Sequence, residues 1–161
     1  MKTFLAIPLI LLFTYLAATA TEQENDLIIL EGERIYADQS PGLKEAFPSL
    51  ELPEFSVIST ANHKGYRPTW ATFDGQLYLV GLEAKIKGES GLLGNSKVLK
   101  GVKFPVPVKE WSGIFKVVKN LSFFDPNTEA TGNITMTTTI HIEKGKVTKV
   151  DRDKKDSRDK K

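Results

Sequence analysis

The sequence predicts an all-β or β-rich α+β fold, in which antiparallel hairpins form a curled sheet, a sandwich or an open barrel with at most one or two short helices. Three observations support this prediction. Apolar residues alternate with period two over much of the chain, two-residue turn signals separate the alternating runs, and no segment keeps a helical period. We expect about seven to nine strands in one domain.

The chain begins with a predicted export signal. Lys2 is followed by an uncharged run over residues 3–18, and Ala18 and Ala20 are the small residues that a signal peptidase requires. The run is shorter than the ~20 residues that span a bilayer, and Pro8 weakens it, so cleavage is favoured over retention as an anchor. We therefore predict a signal peptide over residues 1–20 and an exported protein, periplasmic or extracellular.

Residues 21–150 form the predicted β-rich domain, and residues 151–161 form a predicted tail. The tail, "DRDKKDSRDKK", has six basic and four acidic groups and no apolar residue. Such a segment cannot offset its ordering entropy, so we expect it to be disordered. A solubilising tail is favoured over an electrostatic tether because its charges are of mixed sign.

The first half of the domain contains a hairpin and a loop with one helical turn. "DLIILEGERIYA" predicts two short strands around Glu31-Gly32, where glycine permits the positive φ of a tight turn. Three prolines mark the loop that follows, with room for a helical turn over residues 43–47. "FSVISTA", residues 55–61, is predicted as a strand.

Asp74-Gly75 is the strongest hairpin signal, because apolar alternation flanks it on both sides. A two-residue turn there pairs Phe73 with Gln76, Ala71 with Tyr78 and Thr69 with Val80. One face of the hairpin is then expected to be apolar along its length, and the other only near the turn. The members of the first face are Ala71, Phe73, Tyr78, Val80, Leu82, Ala84 and Ile86, and the apolar part of the second is Trp70, Thr72, Leu77 and Leu79.

The second half is predicted as a long connection followed by further strands. A glycine-rich segment carries a short strand near residues 97–99, and "WSGIFKVV" is another strand. Residues 120–133 are predicted as a loop with a turn at 125–127. The final hairpin turns at Lys144-Gly145, and its expected core face consists of Ile134, Met136, Ile140 and Ile142.

Composition excludes several chemistries. The chain has no cysteine, which rules out disulfides, thiol catalysis and thiolate zinc sites. A net charge of +2 gives no indication of a nucleic-acid partner. His63 and His141 have no metal-ligand spacing. We therefore predict no cofactor and no metal.

The candidate contact region for a partner is the loop around "NHKGYR", because loops on a rigid sheet often carry function. His63 in this loop is also the first candidate for acid–base chemistry. Trp111 is added as a possible aromatic platform, although strand tryptophans such as Trp70 are more often core residues. The predicted contact residues are Asn62, His63, Lys64, Tyr66, Arg67 and Trp111.

Several segments resemble a group of uncharacterised bacterial proteins that share a GY…W…DG-x-LYL block and a later W-[FS]-SG block. Here they read "DLIILEGERIYA", "SPGL", "STANHKGYRPTWATFDGQLYLVGLEA", "FPVPVKEWSGIF" and "IEKGKVTKV", in the same order over most of residues 26–150. The resemblance implies a β-rich fold and a bacterial source, and it transfers no activity. An aromatic residue often stands at the position of His63 in the group, which implies that His63 is not a shared functional residue.

Together these observations predict an exported, non-catalytic module that binds or supports an envelope protein or polymer, without stable membrane insertion after signal cleavage. Two alternatives stay open. One is an envelope hydrolase that uses His63 with a carboxylate such as Asp74. The other is an inhibitor or immunity-type protein that blocks an enzyme through a loop such as residues 88–101.

Overall fold

The computed structural model describes residues 23–125 and 130–158. The predicted signal peptide, with Ala18 and Ala20, lies outside the described residues. The described chain forms one mixed sheet of nine strands with two helices of four residues each. The sheet curls without closing into a barrel, which confirms the predicted β-rich fold class.

The sheet has the order β2-β1-β3-β4-β9-β8-β7, and β5 and β6 pair with β4 outside this path. All pairs are antiparallel except β1 with β3. The strands are β1 Asp26–Leu30, β2 Glu33–Ala37, β3 Tyr66–Phe73, β4 Gln76–Ala84, β5 Leu93–Gly94, β6 Val106–Pro107, β7 Gly113–Asp125, β8 Ala130–Glu143 and β9 Lys146–Arg158, and the helices are α1 Leu43–Ala46 and α2 Asn95–Val98.

Three two-residue turns confirm the three predicted hairpins. Glu31-Gly32, Asp74-Gly75 and Lys144-Gly145 each have positive φ at both residues. Positive φ at both residues defines a type I′ turn, whose twist matches that of paired strands. This turn favours glycine at its second position. The predicted helical turn after the first hairpin is also present, as α1.

The core lies between the two halves of the curled sheet. The ring of Trp70 on β3 packs edge-on against Phe115 on β7, with centroids 5.9 Å apart, although these strands are four places apart in the sheet order. Trp70 is fully buried, as expected of a core tryptophan. Gln39, just after β2, also bridges to Lys116 on β7, so the two ends of the sheet approach each other there.

A β-bulge in β4 changes the predicted faces of the central hairpin. Phe73 pairs with Gln76 and Ala71 with Tyr78 as predicted, but Thr69 pairs with Gly81 because Val80 is the extra residue of the bulge. Burial therefore switches face along β4. The fully buried residues are Leu77 and Leu79 before the bulge and Leu82 and Ala84 after it, so the predicted continuous apolar face is wrong, and its member Phe73 is 75% exposed.

Two predicted short strands are not strands. Residues 97–99 lie in and after α2, where Asn95 Oδ1 accepts the Leu82 backbone N–H at 2.6 Å and ties the helix to β4. In "FSVISTA" only Phe55 and Ser59 form isolated bridges. Its backbone bonds go to three places, Lys85 beyond β4, the adjacent loop and Glu24 before β1, so no continuous ladder forms.

The last three strands are longer than predicted. Residues 120–125 and 130–133, predicted as a loop, belong to β7 and β8, and residues 126–129 lie outside the described part of the chain. The predicted disordered tail is wrong for residues 151–158, which continue β9 and pair with β8. Backbone pairing needs no apolar side chain. β9 pairs with β4 only at Lys146, so residues 151–158 lie at an edge of the sheet, where charged residues are common. Residues 159–161 lie outside the described residues.

Candidate functional site

The predicted contact loop is a joint that holds the residues at the start of β1. Asn62 is 1% exposed. Its side-chain amide donates to Glu24 Oε2 at 2.8 Å and to the Tyr66 carbonyl at 3.2 Å, and its Oδ1 accepts from the Gly65 N–H at 3.0 Å. This residue therefore fixes the loop from within and has no polar atom directed to a partner.

Lys64 forms an ion pair with Asp26, whose carboxylate is buried. The Ser40 hydroxyl donates to the other carboxylate oxygen of Asp26 at 2.5 Å. The Lys64 ammonium also lies 5.2 Å from the centre of the Tyr66 ring. A buried carboxylate is costly unless it is paired and hydrogen-bonded, and both conditions are met here.

Tyr66 connects this joint to the first helix. Its hydroxyl accepts the Leu43 backbone N–H at 3.3 Å, and its ring packs against Phe55 with centroids 5.0 Å apart. Burial raises the pKa of the Tyr66 phenol above its ordinary value of 10.0. The neutral phenol therefore serves here as a structural hydrogen-bonding group.

Arg67 and Glu24 form the outermost pair of the joint, with Nε and Oε1 2.7 Å apart. Burial by itself raises the pKa of the Glu24 carboxyl. The Asn62 hydrogen bond and the adjacent Arg67 guanidinium outweigh that effect, so the pKa lies below its ordinary value of 4.5. Glu24 is thus held as an anion, which does not suit it to act as a general acid near neutral pH.

The structure brings five of the six predicted contact residues together and leaves Trp111 elsewhere. His63 is the exposed residue of the five. The Trp111 ring packs edge-on against Phe115 at 5.6 Å, and its carbonyl accepts the Gly145 N–H at 2.8 Å. A partner contact by any of these residues stays a prediction.

The pairing of His63 with Asp74, suggested for a hydrolase, is not formed. His63 precedes β3 and Asp74 follows it, so the eight residues of β3 separate them. At about 3.3 Å per strand residue, the two ends of β3 are roughly 25 Å apart. Among residues 23–125 and 130–158, no group of three histidine or acidic side chains could hold a metal ion.

A histidine–carboxylate pair that the sequence did not predict lies across β8 and β9. His141 Nε2 is 2.9 Å from Asp151 Oδ2, and Lys149 Nζ is 2.8 Å from Asp151 Oδ1. The hydrogen bond from Lys149, with a further one from His141, holds the pKa of Asp151 below its ordinary value of 3.8. No local signal could reveal this pair, because it depends on a register that shifts by one residue between His141 and Ile142.

A cleft of about 760 Å³ lies on the outer face of β1, β2, β3 and β4. Two cross-strand rows form its floor. The first row runs Tyr36, Leu27, Thr69, Gly81, each paired with the next across neighbouring strands. The second row contains the Arg67–Glu83 pair. The segment over residues 92–97 forms the wall beyond β4.

The middle of this floor, at the bulge in β4, carries only the small residues Thr69 and Gly81. A Cβ atom on Gly81 would lie 3.1 Å from the Cβ of Thr69, so a larger residue at position 81 would crowd Thr69. Larger side chains stand at the two sides of the cleft. Tyr36 is 66% exposed on β2, and Leu92 is 45% exposed on the opposite wall.

The charges that line the cleft cancel. Glu24 and Glu83 carry negative charge, and Arg67 and Lys97 carry positive charge. Glu24 and Arg67 pair with each other, whereas no ion pair of Glu83 or Lys97 occurs among the described residues. The cleft can therefore offer hydrogen bonds of both kinds without a strong net field.

No family model, curated protein or solved structure matches this chain. Within the described ranges, no helix is both long and apolar enough to cross a membrane.

Only Arg67 among the predicted contact residues lines the cleft. The sequence reasoning missed Tyr36, Thr69, Gly81, Glu83 and Lys97. A weak signal was available, since Gly81 interrupts an apolar run and a glycine inside a strand often marks a bulge or a close approach.

Proposed function

We propose that this chain is an exported, non-catalytic binding module of the bacterial envelope, and that the cleft is its binding surface. The observation that carries the proposal is that two of the polar groups in the cleft, Arg67 and Glu24, are held in place. Arg67 is held by Glu24, and Glu24 is held in turn by the buried Asn62. Groups that are ordered before a ligand arrives lose less entropy on binding, so such a site favours recognition.

The parts of this proposal that concern export and a bacterial source rest on the sequence alone. The apolar run after Lys2 and the small residues at Ala18 and Ala20 support secretion. The resemblance of residues 26–150 to bacterial proteins supports the source. The ligand is then an envelope protein or polymer.

A second candidate function is inhibition of an enzyme through the segment over residues 88–101. Residues 87–92 are exposed and Leu92 is 45% exposed, which favours an inserting loop. The rest of the segment is docked, because Val98 and Leu99 are buried and Asn95 bonds to β4. The continuous exposed run, residues 87–92, is the part available for insertion into a partner.

Capture from an envelope extract tests the proposal. Immobilised residues 21–161 are compared with the variants Tyr36→Ala and Arg67→Ala, and Lys155→Ala on β9 serves as a control outside the cleft. We expect Tyr36→Ala to reduce capture by at least about tenfold, since aromatic anchors dominate interfaces. Capture that both cleft variants leave unchanged, at unchanged melting temperature, contradicts the proposal. Loss of capture only in Glu89→Ala, which lies in the exposed run and does not line the cleft, favours the inhibitor instead.

A further inference from the structure

We propose that the cleft binds a neutral, hydroxyl-rich sugar chain that lies across the strands. This inference rests on the proposed function and specifies the ligand class of the same site. It depends on the shape of the floor, on the exposed aromatic ring at one side, and on the balance of charge. The shape selects against a bulky folded partner, and the balance of charge selects against a polyanion or a polycation.

The floor has the length that an extended chain of rings requires. The row from Tyr36 to Gly81 crosses four neighbouring strands, and strands lie about 4.8 Å apart, so the row is roughly 14 Å long. Its middle consists of the small residues Thr69 and Gly81. A chain of a few pyranose rings fits along such a row, whereas a bulky folded partner would contact only its rim.

Tyr36 supplies an apolar face for a ring. Its side chain is 66% exposed and borders the cleft. A sugar ring has a face of C–H groups that packs against an aromatic ring, and the tyrosine hydroxyl can bond at the same time to a sugar hydroxyl. Leu27 extends this apolar surface from the adjacent position on β1.

The second row and the charged residues beside it supply hydrogen bonds to hydroxyl groups. Glu83 presents acceptors only, Lys97 presents donors only, and the Arg67–Glu24 pair presents both. Hydroxyl groups both donate and accept, so they can use every one of these side chains. A polyanion or polycation would meet as many like charges as opposite ones, because two acidic and two basic residues line the cleft.

Titration calorimetry with defined sugars tests the inference. The probes are neutral tetrasaccharides of β-1,4-linked N-acetylglucosamine, β-1,4-linked glucose and α-1,4-linked glucose, each with its monosaccharide. We expect at least one tetrasaccharide to bind more tightly than its monosaccharide. We also expect its affinity to stay the same between about 50 and about 500 mM NaCl, because no net charge is neutralised.

Matched aromatic variants locate the binding. Tyr36→Ala is expected to weaken the tetrasaccharide by at least about tenfold, and Tyr36→Phe by much less, since the ring face is retained. Phe73→Ala is the control, because Phe73 is 75% exposed on the same half of the sheet and does not line the cleft. The comparison uses variants whose melting temperatures equal that of the wild type.

Three results would overturn the inference: no binding of any of the three tetrasaccharides, binding that Tyr36→Ala leaves intact, or binding that weakens steeply with salt. These failures are separable from failure of the proposed function. If envelope capture depends on Tyr36 while no tetrasaccharide binds, the cleft is still the binding surface, and its ligand is a protein or a charged polymer.

Discussion

Lys64 forms an ion pair with the buried carboxylate of Asp26, so replacing Lys64 should lower the free energy of unfolding. Lys64→Met leaves a buried carboxylate with only the Ser40 hydroxyl as a partner, so we expect a loss of about 2–3 kcal/mol in the free energy of unfolding. Urea denaturation measures it. Lys87→Met is the control, because the Lys87–Glu54 pair is exposed on both sides and is worth at most about 1 kcal/mol. Equal losses in the two variants would contradict this account of the joint.

The lowered pKa of Glu24 predicts how the stability of the fold depends on pH. Its pKa in the folded chain is lower than the ordinary 4.5, so the folded state favours the ionised form. The stabilisation is complete above about pH 4.5 and is lost as the pH falls through the lower, folded pKa. Glu24→Gln should therefore flatten the decline of the melting temperature between about pH 5 and about pH 3. Glu89→Gln, at an exposed position, is the control. If the melting temperature declines identically in the wild type and in Glu24→Gln, the Asn62 and Arg67 contacts do not favour the carboxylate.

At the scale of single residues, the sequence predicts burial better than it predicts partners. The burial of Trp70 follows from its place in an alternating strand. The inward role of Asn62 and Lys64 does not, because their partners Glu24 and Asp26 are 38 residues away in the chain. Composition identified the loop as unusual, and only the tertiary fold shows that most of its polar groups hold the start of β1.

Two turn glycines differ in their surroundings, and this predicts different costs for the same substitution. Both Gly32 and Gly145 have positive φ, which costs a non-glycine residue about 1 kcal/mol or slightly more. A Cβ on Gly145 would lie 1.8 Å from the Val108 carbonyl oxygen, whereas a Cβ on Gly32 would have no atom within 4 Å. Gly145→Ala should therefore destabilise by at least about 3 kcal/mol and Gly32→Ala by about 1 kcal/mol in thermal or urea unfolding. Similar costs would show that the tip of the last hairpin is not packed against Val108.

The pairing of β9 with β8 predicts that residues 151–158 are ordered, although their composition indicates a disordered tail. Its residues 151–158 pair with β8, and Arg152 also bonds to Glu31 with two contacts of 3.0 and 3.1 Å. Backbone amides of this segment should exchange hydrogen more slowly than those of an unstructured peptide of the same sequence, measured by NMR or mass spectrometry. Exchange at the rate of the free peptide would show that the segment is the mobile tail that its composition indicates.

At the scale of elements, turns were predictable and irregularities were not. Asp-Gly and similar pairs identified all three hairpins, because few residue pairs accept positive φ twice. In "LYLVGLEA" both faces carry apolar residues, so the pattern does not show where burial changes side, and the bulge at Val80 was missed. The charged strand β9 was missed because side-chain composition does not report backbone pairing.

At the scale of the whole molecule, the cleft arises from segments that are distant in sequence. Its lining residues run from Glu24 through Tyr36 and Arg67 to Glu83 and Lys97, and the curled sheet brings them to one surface. The fold class was predictable from period-two alternation and turns. The cleft was not, because it depends on the parallel pairing of β1 with β3 and on the docking of α2 against β4, and neither leaves a local pattern.

The most direct test of binding through the cleft is an NMR titration of 15N-labelled residues 21–161 with fractionated envelope extract and with the neutral tetrasaccharides. Binding through the cleft predicts that backbone signals change first at Tyr36, Thr69, Gly81, Glu83 and Lys97, whichever probe binds. Changes confined to the exposed residues 87–91, or to the distal parts of β7, β8 and β9, would contradict it.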